Sequence, residues 1–209
     1  MIVIVDYGVG NLFSLKCSFA ALGEQVLVTS DPDSIDSAEK IILPGVGAFQ
    51  DAAEKLRKSG LDLVLKKQVQ KGKPLLGICL GMQILFEKSY EYGEHEGLGF
   101  LTGVIRPIAD VVPQDLKIPH MGWNALRFRG EKHPLFARVR EGEYVYFVHS
   151  YYASDCDASV IADTEYGAPL TAAVAKGNVM GCQFHPEKSG DVGLRILKAF
   201  CEWKGDCVC

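Results

Sequence analysis

The sequence predicts an α/β fold: one domain on a mixed, largely parallel central sheet flanked by helices, with a smaller antiparallel portion in its second half. Three observations predict it. Short apolar, β-branched runs at 2–5 (IVIV), 25–28, 41–43 and 75–78 alternate with helix-period stretches near 11–22, 48–58 and 61–71, the rhythm of a wound sheet. From about residue 100 the helical period gives way to short strand-like pieces punctuated by Pro and Gly. Finally, 209 residues of which 48% are hydrophobic can bury a substantial core.

Each element has its own warrant. Residues 2–5 contain no polar side chain, as expected of a strand covered on both faces in a parallel sheet. Leu56, Leu61, Leu65 and Val69 recur at the spacing of one buried helical face. Segment 87–97 (EKSYEYGEHEG) is polar and acidic and reads as a surface loop or lid. Strands are expected at 101–108, 123–128, 143–148, 159–163, 170–175 and 179–184. A closing helix near 190–203 carries Val192, Ile196, Ala199 and Phe200 on one side. With no repeat, low-complexity stretch or linker, residues 1–209 read as one domain.

Composition excludes several function classes. A net charge of -4 and a pI near 5.7 leave no basic footprint for nucleic acid or an anionic membrane. The opening MIVIVDYG lacks the basic start and apolar length of a signal peptide, and no apolar run approaches the roughly 20 residues of a spanning helix. A cytoplasmic protein is expected. Seven scattered cysteines point to reduced thiols rather than a disulfide framework. Cys201, Cys207 and Cys209 lack the second ligand pair of a zinc site, so no metal is expected and the end of the chain reads as an ordinary frayed terminus. Gly8-Val9-Gly10 opens like a dinucleotide fingerprint, but Phe13 replaces the third glycine. Asp31 and Asp33 lie at roughly the right distance for a ribose carboxylate, but aspartates are common. No phosphate-binding P-loop pattern occurs, and no cofactor is expected.

The chemistry concentrates in three places. Residues 75–86 (LLGICLGMQILF) place Cys79 where a buried strand turns at once into a helix, with Gly77 and Gly81 two positions to either side. Such a turn needs small flanking residues and presents the nucleophile. The following helix N-terminus supplies free N–H groups and positive potential, conditions that favour a thiolate, and the Leu80 amide can face an oxyanion. His185 ends a strand-like run and is followed by Pro186 and Glu187; positions two apart on an extended chain share a side, so Glu187 can align the imidazole. The loop after 41–43 carries Val46 and Gly47, whose amides suit a second oxyanion donor. Taken singly, these are also a buried cysteine, a surface turn and a glycine-rich turn; their joint occurrence selects the chemical reading. Cys17, Cys182 and the other cysteines read as packing residues. His95 and His133 read as solvated. His120 and His149, in the aromatic stretches PHMGWN and YFVHSYY, suit structural histidines or ligands equally.

GICLGMQ, IILPGVGAF and QFHPEKS together resemble the class I, triad-type glutamine amidotransferases, and the likeness covers nearly the whole chain. DYGVGNLFS (6–14), PHMGWN (119–124) and YFVHSYY (146–152) resemble the branch formed by the glutaminase subunits of imidazole glycerol phosphate synthases of histidine biosynthesis. The resemblance implies that Cys79 attacks the glutamine side-chain amide, His185 shuttles protons and Glu187 orients it. It implies substrate contacts from Gln83, from the backbone around Gly47, and from His149, Ser150 and Tyr151. It further implies a heterodimer with a (β/α)8 cyclase subunit that receives the ammonia, with Met121, Trp123, Tyr146 and Lys188 near the interface. The residues agree: a thiol triad without a nucleotide or metal motif can liberate ammonia but holds nothing to aminate. Residues 205–209 (GDCVC) match no family motif. A thiol hydrolase of another specificity and a catalytically silent scaffold are the competing readings.

Overall fold

The computed structural model describes residues 1–205. β1 (Ile2–Val5) and β2 (Val26–Thr29) are joined by α1 (Leu12–Ala21), and α2 (Pro32–Ser37) leads into β3 (Lys40–Gly45). α3 (Phe49–Lys58) and α4 (Leu61–Gln70) are separated at Gly60, whose φ of 73° breaks the helix. β4 (Leu75–Cys79) then passes directly into α5 (Leu80–Ile84). The second half contributes β5 (Phe86–Ser89), β6 (His95–Glu96), β7 (Leu101–Pro107), β8 (His120–Ala125) and β9 (Arg127–Phe128). It continues with β10 (Tyr144–His149), β11 (Tyr151–Ser154), β12 (Val160–Glu165), β13 (Pro169–Lys176), β14 (Val179–Cys182) and α6 (Gly190–Glu202).

An eight-stranded sheet runs in the order β2-β1-β3-β4-β14-β13-β12-β9. Its first five strands are parallel and the remaining pairs antiparallel. β1 is buried at all four residues, as its unbroken apolar run predicts. One face packs Val3, Ile41 and Leu43 against Phe49, Leu56, Leu61 and Leu65. The other packs Ile4, Ile42 and Ile78 against Leu15, Phe19, Ile196 and Phe200. Each fully buried side chain of this kind contributes about 1.5–3 kcal/mol. The registers decide where chemistry can occur. Gly45 pairs with Cys79, and Cys182 pairs with Ile78, so the chain leaving β3 and the chain leaving β14 both emerge beside Cys79.

The structure departs from the sequence expectations at several elements. The antiparallel portion is three pieces: the outer part of the main sheet, the β10-β8 ribbon, and a β11-β7-β5-β6 sheet in which β5 and β7 are parallel. Segment 87–97 is not simply a loop, because β5 and β6 occupy its ends. Local composition hid a hairpin that is held from outside, where Arg57 Nη2 donates to the Glu96 carbonyl at 2.5 Å. α2 was not expected, yet Pro32 opens it and the Asp31 side chain accepts the Ser34 N–H at 2.9 Å, an N-cap. That bond occupies one of the two aspartates considered for a ribose. The predicted strand 123–128 begins earlier, at His120, and splits at Leu126. β11 was unforeseen, since Ser150 is where the chain leaves the β10-β8 ribbon for another sheet. Cys182 is buried as expected, whereas Cys17 lies on the outer side of α1 and is exposed. His133 is half-buried rather than solvated, its Nδ1 accepting the Leu135 N–H at 3.1 Å, and His95 is half-buried too. Cys207 and Cys209 lie outside the described residues. No helix among the described residues is long and apolar enough to cross a membrane.

Candidate active site

Cys79 has φ 54° and ψ −112°, a conformation that strains an L-residue by about 1–2 kcal/mol. Three glycines hold it there. A Cβ on Gly81 would lie 1.8 Å from the Leu43 carbonyl oxygen, one on Gly77 2.7 Å from the Gly81 oxygen, and one on Gly45 2.8 Å from the Gly81 nitrogen. α5 therefore lies backbone to backbone on β3 and β4, and the strand has no room to unwind before the helix begins. Gly77 and Gly81 were legible as an elbow; Gly45 was not, because its role depends on the β3–β4 register. The thiol does not stand exposed as the motif suggested. It sits 7% accessible at the floor of a cavity of about 610 Å³.

His185 reaches this floor from the adjacent parallel strand. Its backbone is clamped to β10, the His185 N–H donating to the Tyr146 carbonyl at 2.9 Å and the Ser189 hydroxyl donating to the His185 carbonyl at 2.7 Å. Pro186–Lys188 form a 3-10 turn, not the extended link expected, and Pro186 suits its first position because no N–H is needed there. The turn folds Glu187 back so that His185 Nδ1 donates to Glu187 Oε1 at 2.8 Å, with both side chains at most 3% exposed. Burial works against a charge on this imidazole. The hydrogen bonds to Cys79 and Glu187, and the charges these groups carry, outweigh it and raise His185 to about 10. A thiol and a base thus line one pocket, with a carboxylate hydrogen-bonded to the base.

The other residues expected at the site divide into two groups. Val46, Gly47, Leu80, Gln83, His149, Ser150, Tyr151 and Lys188 line the same cavity as Cys79 and His185. Leu80 opens α5, so its N–H has no partner within the helix. Gly47 has φ 98° with open space around it. Met121, Trp123 and Tyr146 are not part of the cavity wall. Met121 and Trp123 are 60% and 51% exposed on one face of β8, Trp123 meets the Tyr146 ring edge-on at 6.0 Å, and Lys188 Nζ lies 5.8 Å from the Tyr146 ring centre.

The glutamine amidotransferase class-I family model matches residues 3–202. This chain belongs to the class I glutamine amidotransferase family. Imidazole glycerol phosphate synthase subunit HisH of Oceanobacillus iheyensis is 48% identical over 201 residues, covering 96% of this chain and 98% of the relative. The subunit of the same name from Sulfurimonas denitrificans is 50% identical over 206 residues, covering 98% and 99%. Among solved structures, a crystal structure of a glutamine amidotransferase aligns with a TM-score of 0.74 at 20% identity, over 96% of this chain and 100% of the other. PurLQS from Thermotoga maritima aligns with a TM-score of 0.74 at 21% identity, covering 96% of each. At such identities the structural likeness speaks for the fold alone.

Within this amidotransferase, two histidines meet beside the cavity. His149 Nδ1 donates to the Tyr151 carbonyl at 2.8 Å, and its Nε2 faces His120 Nδ1 at 3.0 Å. Burial pulls His149 down to about 3, the His120 and His185 charges adding to it and the Tyr151 carbonyl opposing. His149 is therefore neutral, with its proton on Nδ1. His120 is itself stacked between Phe147 and Tyr166, at 4.9 and 4.1 Å.

Two residues of the amidotransferase site escaped the sequence reading. Glu91 lines the cavity, and its Oε2 accepts the Phe49 N–H at 2.6 Å, so the tip of the β5–β6 hairpin is tied to the start of α3. Nothing in an acidic surface segment marks one carboxylate as the inward one. Gln183 lies fully buried with Nε2 3.6 Å from Cys79 Sγ. A signal for it existed, since it stands two positions before His185 and shares its side of the chain.

Proposed function

We propose that this chain is the glutaminase subunit of an imidazole glycerol phosphate synthase in histidine biosynthesis, with residues 1–209 as its single amidotransferase domain. Acting in the cytoplasm, it hydrolyses glutamine through Cys79, His185 and Glu187. The ammonia passes to a (β/α)8 cyclase partner in a heterodimer, which makes imidazole glycerol phosphate and an aminoimidazole carboxamide ribotide. The observation that most directly supports this reading is the strained Cys79 facing a His185–Glu187 pair across two adjacent parallel strands.

The reaction follows from the proposed roles. Cys79 Sγ attacks the carboxamide carbon, and the oxyanion faces the Leu80 amide and an amide of Val46 or Gly47. The His185 imidazolium gives its proton to the departing nitrogen, so ammonia leaves and a thioester remains. Water then attacks with His185 as base, the carbon–sulfur bond breaks, and glutamate and the thiol are restored. Glutamine also carries an ammonium group. Gln83 donates through Nε2 to the Tyr151 carbonyl and to Gln183 Oε1, which leaves Gln83 Oε1 to accept. Gln83 Oε1 and the Glu91 carboxylate are the cavity groups suited to that ammonium. Met121, Trp123, Tyr146 and Lys188 form the proposed contact with the cyclase. The open space around Gly47 supports a loop that the partner reorients, so the isolated chain is expected to be nearly inactive.

The test is glutamate release by the purified chain, alone and with the cyclase subunit and its ribonucleotide ligand. A large partner-dependent rise is expected. Cys79→Ala should abolish glutamine-dependent synthesis while the complex still uses free ammonia. No glutamate under any condition would return the assignment to another thiol hydrolase.

A further inference from the structure

The residues around Gln183 define a chain of amide hydrogen bonds with only one possible sense. The Tyr151 backbone carbonyl can only accept. The Gln83 side chain 3.1 Å from it must therefore present Nε2, which fixes which end of that amide is nitrogen. A second hydrogen on the same nitrogen points to Gln183, 2.9 Å away, and requires an oxygen there. Gln183 Oε1 is thereby committed to Gln83, and Gln183 Nε2 is turned onto Cys79 Sγ at 3.6 Å. Tyr151 is held as well by the neutral His149, whose Nδ1–H reaches the same carbonyl. The direction of the amide beside the sulfur is set three groups away, by a peptide that cannot reverse.

Gln183 is 0% exposed, so its amide carries the cost of burying a polar group that must be hydrogen-bonded. An amide hydrogen bonded to a neutral thiol or a thioester sulfur is weak. Toward a thiolate it is charge-assisted and roughly twice as strong as a neutral bond. The donor therefore favours the states in which sulfur carries the negative charge. Positions 183 and 185 approach Cys79 from the same strand end, so the sulfur meets one fixed dipole and one imidazolium.

We propose that Gln183 is a further catalytic residue, whose side-chain amide stabilises the Cys79 thiolate before attack and again when it departs from the thioester. The proposal rests on Cys79 being the nucleophile. During hydrolysis, water adds to the acyl carbon as His185 takes its proton. The carbon–sulfur bond then breaks, its electron pair goes to Sγ, and Gln183 Nε2–H receives the new anion. No other reactant is needed.

The experiment compares wild type with Gln183→Met, which keeps the unbranched shape and removes the amide, in the complex with the cyclase subunit. Iodoacetamide alkylation of Cys79 is followed between pH 5 and 10 by peptide mass spectrometry, alongside glutaminase turnover. Alkylation at pH 7 should slow about tenfold to a hundredfold, the fold-change of losing one hydrogen bond to a charged group. The profile should move to higher pH, and an acyl-enzyme should accumulate in rapid-quench samples. Gln183→Glu keeps the volume and the acceptor for Gln83 and replaces the hydrogens facing sulfur with a carboxylate oxygen, whose charge also disfavours the thiolate. It should move the profile in the same direction and serves if the methionine variant does not fold. An unchanged alkylation profile with slower turnover would overturn the proposal and leave Gln183 a packing residue. Failure of wild-type Cys79 to form an acyl-enzyme at all would instead remove the nucleophile reading beneath it.

Discussion

Gly81 presses its α-carbon against the main chain of Leu43 so closely that an added methyl would sit 1.8 Å from the Leu43 carbonyl oxygen. The clash is with backbone in the middle of a parallel sheet, so no side chain can move to relieve it. Gly81→Ala is accordingly expected to lose about 3 kcal/mol or more and to yield little folded protein. Gly72 is the control, because its φ of 81° strains an alanine while the space around it is open. Gly72→Ala should lose only about 1–2 kcal/mol. Urea unfolding midpoints compare the two.

The strain at Cys79 gives a prediction that separates stability from activity. Cys79→Ala and Cys79→Gly both remove the thiol and should both be inactive. Glycine adopts φ 54° without the Cβ penalty, so Cys79→Gly should be more stable than Cys79→Ala by about 1 kcal/mol, even though glycine is ordinarily the more costly residue to order. Equal unfolding midpoints would show that the turn is not strained.

Acid stability should report on His149. Folding depresses its pKa from 6.5 to about 3, chiefly through burial. Between those values the unfolded chain takes up a proton that the folded chain refuses. The corresponding stability is complete above about pH 6.5 and is lost as pH falls toward 3, at up to about 1.4 kcal/mol per pH unit. Between pH 6.5 and 5, His149→Gln should lose less stability than wild type, by about 1–2 kcal/mol. Thermal melts across this range check it, and parallel slopes would assign the acid sensitivity elsewhere.

Glu91→Gln keeps an oxygen for the Phe49 N–H and removes the charge facing the cavity. If the carboxylate holds the substrate ammonium, KM for glutamine should rise about tenfold or more with a smaller effect on kcat. Steady-state glutaminase assays with the partner present provide the measurement. A fall in kcat at constant KM would place the role of Glu91 in the cap on α3 instead.

Much of this architecture was legible because its signals are local. IVIV at 2–5 is a strand whichever neighbours it has. Gly77, Cys79 and Gly81 announce a tight strand-to-helix turn by spacing alone, and His185 with Glu187 lie close enough in sequence to be paired on inspection. Elements stabilised from outside were not legible. The β5–β6 hairpin reads as a polar loop until Arg57 and the Phe49 amide hold it, and β11 exists because Ser150 passes the chain from one sheet to another.

The sequence by itself determined the α/β class, the elbow at Cys79, the imidazole–carboxylate pair and the resemblance that the family match bore out, since each depends on residue type and short-range spacing. Only the tertiary structure decided that Gly45 must be a glycine, that Glu91 turns inward, that His149 is neutral, and that Gln183 presents a nitrogen rather than an oxygen to the sulfur. Those facts depend on strand register and on hydrogen bonds between residues far apart in sequence, such as Gln83 and Gln183. A register is a property of the packed sheet as a whole, and no local stretch of the chain encodes it.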